Sequence, residues 1–232
     1  MKNAYSSLIV FALISTASAE ASNPKKILTV GDSWAEYSGN TFSDYCDGAI
    51  QINKGVGGSE AVGWAAGGKF HGRDTNFAKA LEAAGTMNGN DIIVLSVGGN
   101  DWMGAKGQCG KIKTQAKLQG EIQGAANALI QAMKATGCAN DCPKIQMFGY
   151  ATPANTAKDG CVTVGVSALT PLMTSVANVA AATPEISYTE ITSLCGGSMT
   201  SWSPEFPCFG MKYAHDNSVD NIHMNKEGYC LL

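Results

Sequence analysis

The stretch ILTVGDSWAEYSGN, residues 27–40, joins an apolar run to a polar turn and decides how the rest of the sequence is interpreted. The aliphatic residues at 27–30 predict a short buried strand. Gly31, Asp32 and Ser33 follow at once, and these residue types favour a turn. Ser33 is therefore either an ordinary turn residue or a nucleophile at the mouth of a sheet, and the other strand ends must decide between the two.

Further apolar runs alternate with stretches of helical spacing. The predicted strands after the first are 49–53, 91–97, 144–150 and 186–191, and the predicted helices are 74–84, about 111–136, and 166–182. Such alternation predicts a parallel sheet with helices on both faces. The segment 195–218 breaks the pattern with prolines, cysteines and aromatic residues, so we expect a disulfide-tethered loop there.

Composition and charge limit the partners and the location. A chain of 232 residues suits one α/β domain, and a net charge of −3 without a basic block argues against a nucleic-acid partner. Residues 1–19 carry an early lysine, an apolar run too short to span a membrane, and a final Ala-Ser-Ala. This pattern is typical of a signal peptide. We expect a secreted, extracellular domain over 20–232, monomeric and without stable membrane insertion.

The cysteines agree with secretion. All eight follow residue 19, and an even number in a secreted chain predicts disulfides whose pairing the sequence leaves open. The alternative is a metal site. Cys138 and Cys142 form a close pair, but no second close pair and no histidine lies at ligand spacing. We therefore expect no metal.

Small polar residues follow three successive predicted strands. Gly31, Asp32 and Ser33 follow the first, NKGVGGS at 53–59 follows the second, and GGND at 98–101 follows the third. Ligands of open parallel sheets bind outside the carboxyl ends of the strands. The three groups are therefore expected at one edge of the sheet.

A serine nucleophile needs a base, since its hydroxyl is protonated at neutral pH. The chain has three histidines, and His223 has Asp220 three residues before it. In a tight loop this spacing lets the carboxylate accept the Nδ1–H, which leaves Nε2 as a base for Ser33. His71 and His215 are rival bases without that spacing.

Nucleophilic attack on an ester also needs donors for the oxyanion. Gly58 offers a backbone N–H that approaches a substrate closely because glycine has no side chain. Asn100 offers its side-chain NH2. The N–H of Ser33 is a third donor if a helix begins just after it.

Several residues near the candidate catalytic residues could serve packing or turn geometry instead of function. Asp32 is interpreted as a brace of the turn, and Asp101 as structural. Tryptophan and tyrosine rings either contact a substrate or pack in the core or rim, and both alternatives stay open for Trp34, Trp102, Trp202 and Tyr150.

The four blocks GDS (31–33), NKGVGGS (53–59), GGND (98–101) and DNIH (220–223) occur in this order and together resemble the SGNH, or GDSL-type, hydrolase superfamily. The resemblance implies a flavodoxin-like α/β/α sandwich whose five parallel strands have the order 2-1-3-4-5. It also implies hydrolysis of esters, thioesters and acetyl groups on lipids, sugars and small molecules, without a metal or other cofactor. It places the oxyanion glycine on Gly58.

The chain departs from the family pattern at three points. An aromatic residue, Trp34, follows the serine, the segment 195–218 is long, and the chain ends soon after the DNIH block, where a terminal helix is usual. Our hypothesis is that Cys230 tethers the short tail, which would fail if Cys230 were a free thiol.

The function that these residues favour is a secreted serine esterase acting on acetyl or acyl groups of carbohydrate or lipid. Its catalytic residues would be Ser33, Asp220 and His223. The alternative is a non-catalytic, secreted glycan-binding module on the same fold, which would not need the Ser, Asp and His set. A nucleotide binder is a weaker alternative, because the glycines at 55–58 lack the lysine of a phosphate loop.

Overall fold

A computed structural model describes residues 25–45, 48–103, 113–150, 169–191, 209–212 and 219–224. The predicted signal peptide at 1–19 lies outside these residues, so its assignment stays a prediction. Within the described residues, no helix is long and apolar enough to cross a membrane.

The centre of the fold is a parallel sheet of five strands. They are β1 (Lys26–Gly31), β2 (Ile50–Asn53), β5 (Ile92–Ser96), β6 (Lys144–Phe148) and β7 (Ile186–Thr189). Their spatial order is β2-β1-β5-β6-β7, and every pair is parallel. Counted within the sheet alone, this is the order 2-1-3-4-5, so the predicted fold class and strand order are confirmed. All five predicted strands are present.

Six helices connect or follow these strands in the described part of the chain. They are α1 (Ser33–Tyr45), α2 (Ala61–Ala66), α3 (Phe77–Ala84), α4 (Gly99–Met103), α5 (Gln115–Ala135) and α6 (Thr170–Ala181). The three predicted helices correspond to α3, α5 and α6. All three begin later than predicted, and side chains cap the first two: Asn76 accepts from the N–H of Lys79, and Thr114 from that of Lys117.

Two hairpins were not predicted. β3 (Lys69–Phe70) pairs with β4 (Arg73–Asp74), and β8 (Phe209–Lys212) pairs with β9 (Val219–Met224), both antiparallel. The prediction of a loop over 195–218 is wrong at 209–212, which form β8. The remainder of that segment lies outside the described residues.

The core lies between the sheet and its helices. β1 and β5 are almost wholly buried, and α1 packs against β1 and β2 while α5 packs against α2, α3 and α6. The buried side of α5 carries Leu118, Ile122, Ala126, Leu129 and Met133 near helical spacing, which is why this helix was predictable.

Cys138 and Cys142 form a disulfide in the connection from α5 to β6. The other six cysteines lie outside the described residues, so their pairing and the tether through Cys230 stay predictions. No group of three or more His, Cys, Asp or Glu side chains that could hold a metal ion occurs among the described residues.

Candidate active site

Ser33 is the first residue of α1, and only Asp32 separates it from the end of β1. Gly31 has φ +125°, and a Cβ there would collide with the carbonyl of Ser96, so the turn requires glycine. The carboxylate of Asp32 accepts the N–H of Trp34 at 3.0 Å, which caps the helix. Ser33 is thereby fixed in the first helical turn, where backbone N–H groups have no partner within the helix.

His223 lies beside Ser33. Its Nε2 is 2.6 Å from the serine Oγ, and the two residues are only 8% and 9% exposed. The imidazole packs edge-on against Tyr37 of α1, with ring centroids 4.7 Å apart. This distance is within hydrogen-bond reach, which a general base requires of the group that it deprotonates.

Asp220 lies in the same strand as His223. The prediction that these two residues occupy a tight loop is wrong, since Val219–Met224 form β9. The pairing is irregular: Phe209 and Met211, two residues apart, face Met224 and Asp220, four residues apart. Such a bulge breaks the strict alternation of side chains and re-aims those within it. The structure describes the backbone of Asp220 but not its side chain, so the role of its carboxylate stays a prediction.

The turn that contains Gly58 is attached to the nucleophile helix. Glu36, one helical turn after Ser33, accepts the N–H of Gly57 at 2.6 Å. Arg73 of β4 bonds to Glu36 at 2.7 Å and to the carbonyl of Gly55 at 2.6 Å. We did not predict these two residues from the sequence, because α1 was not predicted and no local pattern places either charge beside the glycine turn.

Gly58 itself has φ +79°, which side chains other than glycine rarely adopt. A Cβ there would lie 3.0 Å from the ring of Phe70 in β3. Since the N–H of Gly57 is already bound to Glu36, Gly57 is a poor candidate for an oxyanion donor. This is consistent with the assignment of that role to Gly58.

The third block holds the residues that follow Gly58. Asn100 donates its side-chain N–H to the carbonyl of Ser59 at 3.0 Å, and Asp101 accepts the N–H of Ala61 at 2.7 Å. An asparagine amide carries two N–H donors, so the bond to Ser59 uses one of them. Burial raises the pKa of Asp101, an effect opposed by the N–H of Ala61 and by Lys113. These contacts are consistent with a structural role for Asp101.

A buried polar network lies beneath the nucleophile. Asp32 is 1% exposed and accepts a hydrogen bond from the hydroxyl of Tyr150, while the hydroxyl of Ser96 lies 3.1 Å from its Oδ1. The N–H of Gly99 donates to the Tyr150 oxygen at 3.0 Å. Burial raises the pKa of Asp32 to about 6, against the opposing effect of the bond from Tyr150. Burial also raises the pKa of Tyr150, so its phenol stays protonated.

The predicted substrate-contacting tryptophans are placed as follows. Trp34 and Trp102 are 2% and 7% exposed, which favours packing over direct contact with a substrate. Trp34 lies edge-on to Tyr150, with centroids 5.2 Å apart. Trp202 lies outside the described residues, so substrate contact by the three tryptophans stays a prediction.

The rival bases are not joined to Ser33 by any contact in the described part of the chain. His71 is exposed at the turn of the β3–β4 hairpin, and its ring packs edge-on against Phe70 with centroids 4.3 Å apart. His215 lies outside the described residues.

No protein-family model and no curated protein sequence matches this chain. Solved structures do match. A GDSL-like lipase from Bacteroides thetaiotaomicron is 15% identical with a TM-score of 0.55, over 90% of this chain and 83% of that one. A carbohydrate acetylesterase from Sinorhizobium meliloti is 13% identical with a TM-score of 0.58, over 89% and 94%. The chain has the fold of the SGNH or GDSL-type hydrolases.

Proposed function

We propose that this chain is a secreted serine esterase that hydrolyses carboxylic esters through Ser33 and His223. The observation that carries the proposal is the 2.6 Å approach of His223 Nε2 to Ser33 Oγ at the carboxyl edge of the sheet. A serine that only supports the start of a helix does not need a base beside its hydroxyl. A serine nucleophile does need one, and the imidazole of His223 can serve as that base. The ester-hydrolase fold and the order of the four sequence blocks support it.

The reaction begins when Ser33 Oγ attacks the carbonyl carbon and its proton passes to His223 Nε2. The C=O π bond opens, and the oxygen takes up the negative charge. When the tetrahedral intermediate collapses, the C–O bond to the alcohol breaks and His223 returns the proton to the leaving oxygen. Water, deprotonated by the same imidazole, then attacks the acyl-enzyme, and the acid departs as Ser33 regains its proton.

The oxyanion is held by the N–H of Ser33, the N–H of Gly58 and the side chain of Asn100. Glu36 accepts the N–H of Gly57, and Asn100 donates to the carbonyl of Ser59. These two bonds support the assignment, because they fix the backbone of the turn before a substrate arrives. Donors that are already oriented need no reorganisation as charge develops. In this scheme, Asp220 orients His223 and stabilises the imidazolium.

The substrate class is a small-molecule, polysaccharide or lipid ester that carries an acetyl or longer acyl group. One of the structural neighbours reported above is a GDSL-like lipase, which supports a lipid ester, and the other is a carbohydrate acetylesterase, which supports an acetylated carbohydrate. Secretion rests on residues 1–19, and we propose a monomer that needs no cofactor.

The test uses the mature protein with a fluorophosphonate probe and with short p-nitrophenyl esters. Ser33→Ala should abolish both labelling and turnover. Ser38→Ala is the matched control, because Ser38 lies on the same helix and its hydroxyl bonds only to a backbone carbonyl in the contacts described. Equal labelling of Ser33→Ala and the wild type would overturn the proposal.

A second series of measurements distinguishes between the candidate classes of substrate. A range of acyl chain lengths, set against acetylated xylan, distinguishes lipid from carbohydrate esters. Binding of oligosaccharides without any turnover of esters would instead support the glycan-binding module.

A further inference from the structure

The buried network under Ser33 joins two of the site's sequence blocks through one hydroxyl. Tyr150 follows the end of β6, and its oxygen contacts Asp32 in the first block and Gly99 in the third. Asp32 precedes the nucleophile, and Gly99 precedes Asn100. The tyrosine is 3% exposed, so water does not substitute readily for any of these bonds.

We propose that Tyr150 is a positioning residue, whose hydroxyl holds the nucleophile turn and the oxyanion asparagine in a fixed relation and keeps Asp32 ionised. This inference rests on the proposed esterase function and goes beyond it, since the contacts described for the Tyr150 hydroxyl are with Asp32, Ser96 and Gly99, not with Ser33 or His223.

The hydrogen bonds have defined directions. The N–H of Gly99 can only donate, so the Tyr150 oxygen accepts it, and the one phenolic hydrogen is left for Asp32. The N–H of Trp34 also donates to Asp32, and the hydroxyl of Ser96 lies 3.1 Å from the same oxygen. An ionised Asp32 accepts all of these bonds, whereas a protonated one must give up an acceptor position.

The charge of Asp32 lies close enough to affect His223. Burial raises the pKa of Asp32, and the bond from Tyr150 is the largest effect that opposes it, followed by the N–H of Trp34, the bond from Ser96 and the positive charge of His223. When His223 takes the proton of Ser33, the resulting imidazolium therefore faces a second anion besides the predicted Asp220. Low local polarity strengthens this attraction.

The experiment compares Tyr150→Phe with the wild type over pH 4 to 9. The variant keeps the ring and its edge contact with Trp34 and removes only the hydroxyl. We expect kcat on a p-nitrophenyl ester to fall by roughly 10- to 100-fold with little change in KM. We also expect the acid limb of the kcat profile to move to higher pH, because Asp32 then holds its proton more tightly. A merely structural loss would lower kcat without moving that limb.

Two further variants sharpen the comparison. Tyr188→Phe is the matched control, because Tyr188 lies on the neighbouring strand β7 and its hydroxyl bonds to Glu190, away from Asp32. It should leave both kcat and the acid limb unchanged. Asp32→Asn imitates the protonated carboxyl, so its kcat should stay below that of the wild type at the pH values where the wild-type Asp32 is ionised. It also replaces Tyr150→Phe if that variant does not fold.

Infrared difference spectra, recorded as wild type minus Asp32→Asn, give the titration of the Asp32 carboxyl without reference to turnover. A wild-type kcat and an unmoved acid limb in Tyr150→Phe would overturn the inference while the esterase function stands. If the wild type neither hydrolyses esters nor reacts with the fluorophosphonate, the proposed function fails and the positioning role fails with it. If the titration of the Asp32 carboxyl still depended on Tyr150 in that case, the hydrogen bond between the two residues would stand, and only the proposed esterase function would have failed.

Discussion

His223 Nε2 lies 2.6 Å from Ser33 Oγ, although 190 residues separate them in the chain. The contact forms because α1 begins where β1 ends, while the strand that carries His223 packs against α1 through the edge of the Tyr37 ring. Both residues are less than a tenth exposed. Because both side chains are shielded from solvent, the hydroxyl and the imidazole exchange a proton with little competition from water.

His223→Ala should lower kcat for p-nitrophenyl acetate by roughly 10⁴- to 10⁶-fold, because Ser33 then has no base. The measurement is steady-state hydrolysis beside the rate of fluorophosphonate labelling. His71→Ala, at an exposed histidine on a hairpin turn, is the control and should retain turnover. The assignment would be contradicted if the two variants lost the same activity.

Asn100→Ala should lower kcat by roughly 100- to 1000-fold if the side chain is an oxyanion donor. It also removes the bond to the carbonyl of Ser59, so the turn after Gly58 loosens. Steady-state kinetics measures the loss, and chemical denaturation shows how much of it is structural. Asn127→Ala on the surface of α5 is the control for truncating an asparagine.

The sequence predicted the sheet well because its strands are short apolar runs between helical stretches, a pattern that requires no knowledge of tertiary contacts. It also predicted the pairing of Ser33 with His223, since the four blocks have a distinctive order. It missed α1, whose residues 33–45 include glycine, serine and asparagine and show no clean apolar periodicity. Here capping by Asp32 and packing on β1 outweigh weak propensity.

Other site features depended on contacts between distant residues. Glu36 and Arg73 look like ordinary surface charges in the sequence, and only the fold brings them to the glycine turn. The three-residue spacing of Asp220 and His223 indicated a loop, whereas the structure has a bulged strand. A bulge depends on the partner strand, which spacing within one segment does not reveal.

Gly58→Ala should reduce both stability and turnover. A side chain at φ +79° costs about 1–2 kcal/mol, and the new Cβ would also press on the ring of Phe70 at 3.0 Å. We expect kcat to fall at least about tenfold as the backbone N–H moves from its position. Kinetics and urea denaturation measure the two effects.

The control for the glycine is Gly72→Ala. Gly72 also has φ +79°, but nothing lies within 4 Å of the Cβ it would gain. It should show the same backbone strain and keep its turnover. The double variant Gly58→Ala with Phe70→Ala should recover only the contact part of the loss, and full recovery would show that backbone conformation is unimportant there.

Replacing both Cys138 and Cys142 by serine should lower the free energy of unfolding by about 2 kcal/mol, the chain-entropy value for so short a loop. Ester turnover should be unchanged, because the pair precedes β6 whereas the active site lies at the opposite, carboxyl edge. The double variant is preferable to a reductant, which would act on all eight cysteines. Urea denaturation and kinetics provide the measurement, and a loss of turnover at full folding would contradict the assigned location of the site.

The buried carboxylate of Asp32 should make stability depend on pH. Its pKa is about 6 in the folded chain against an ordinary value of 3.8, so the folded state binds this proton more tightly than the unfolded state does. Stability from this group is therefore greatest at low pH and falls as the pH rises from 4 through 6. At about 1.36 kcal/mol for each pH unit between the two values, the loss is about 3 kcal/mol.

Asp32→Asn cannot ionise, so the stability of the wild type relative to this variant should fall by that amount between pH 4 and 7. Urea denaturation at each pH measures the difference, in which contributions from the other carboxylates cancel. A difference that stayed constant from pH 4 to 7 would mean that the pKa of Asp32 is not raised in the folded chain, and it would contradict burial as the dominant effect on this carboxyl.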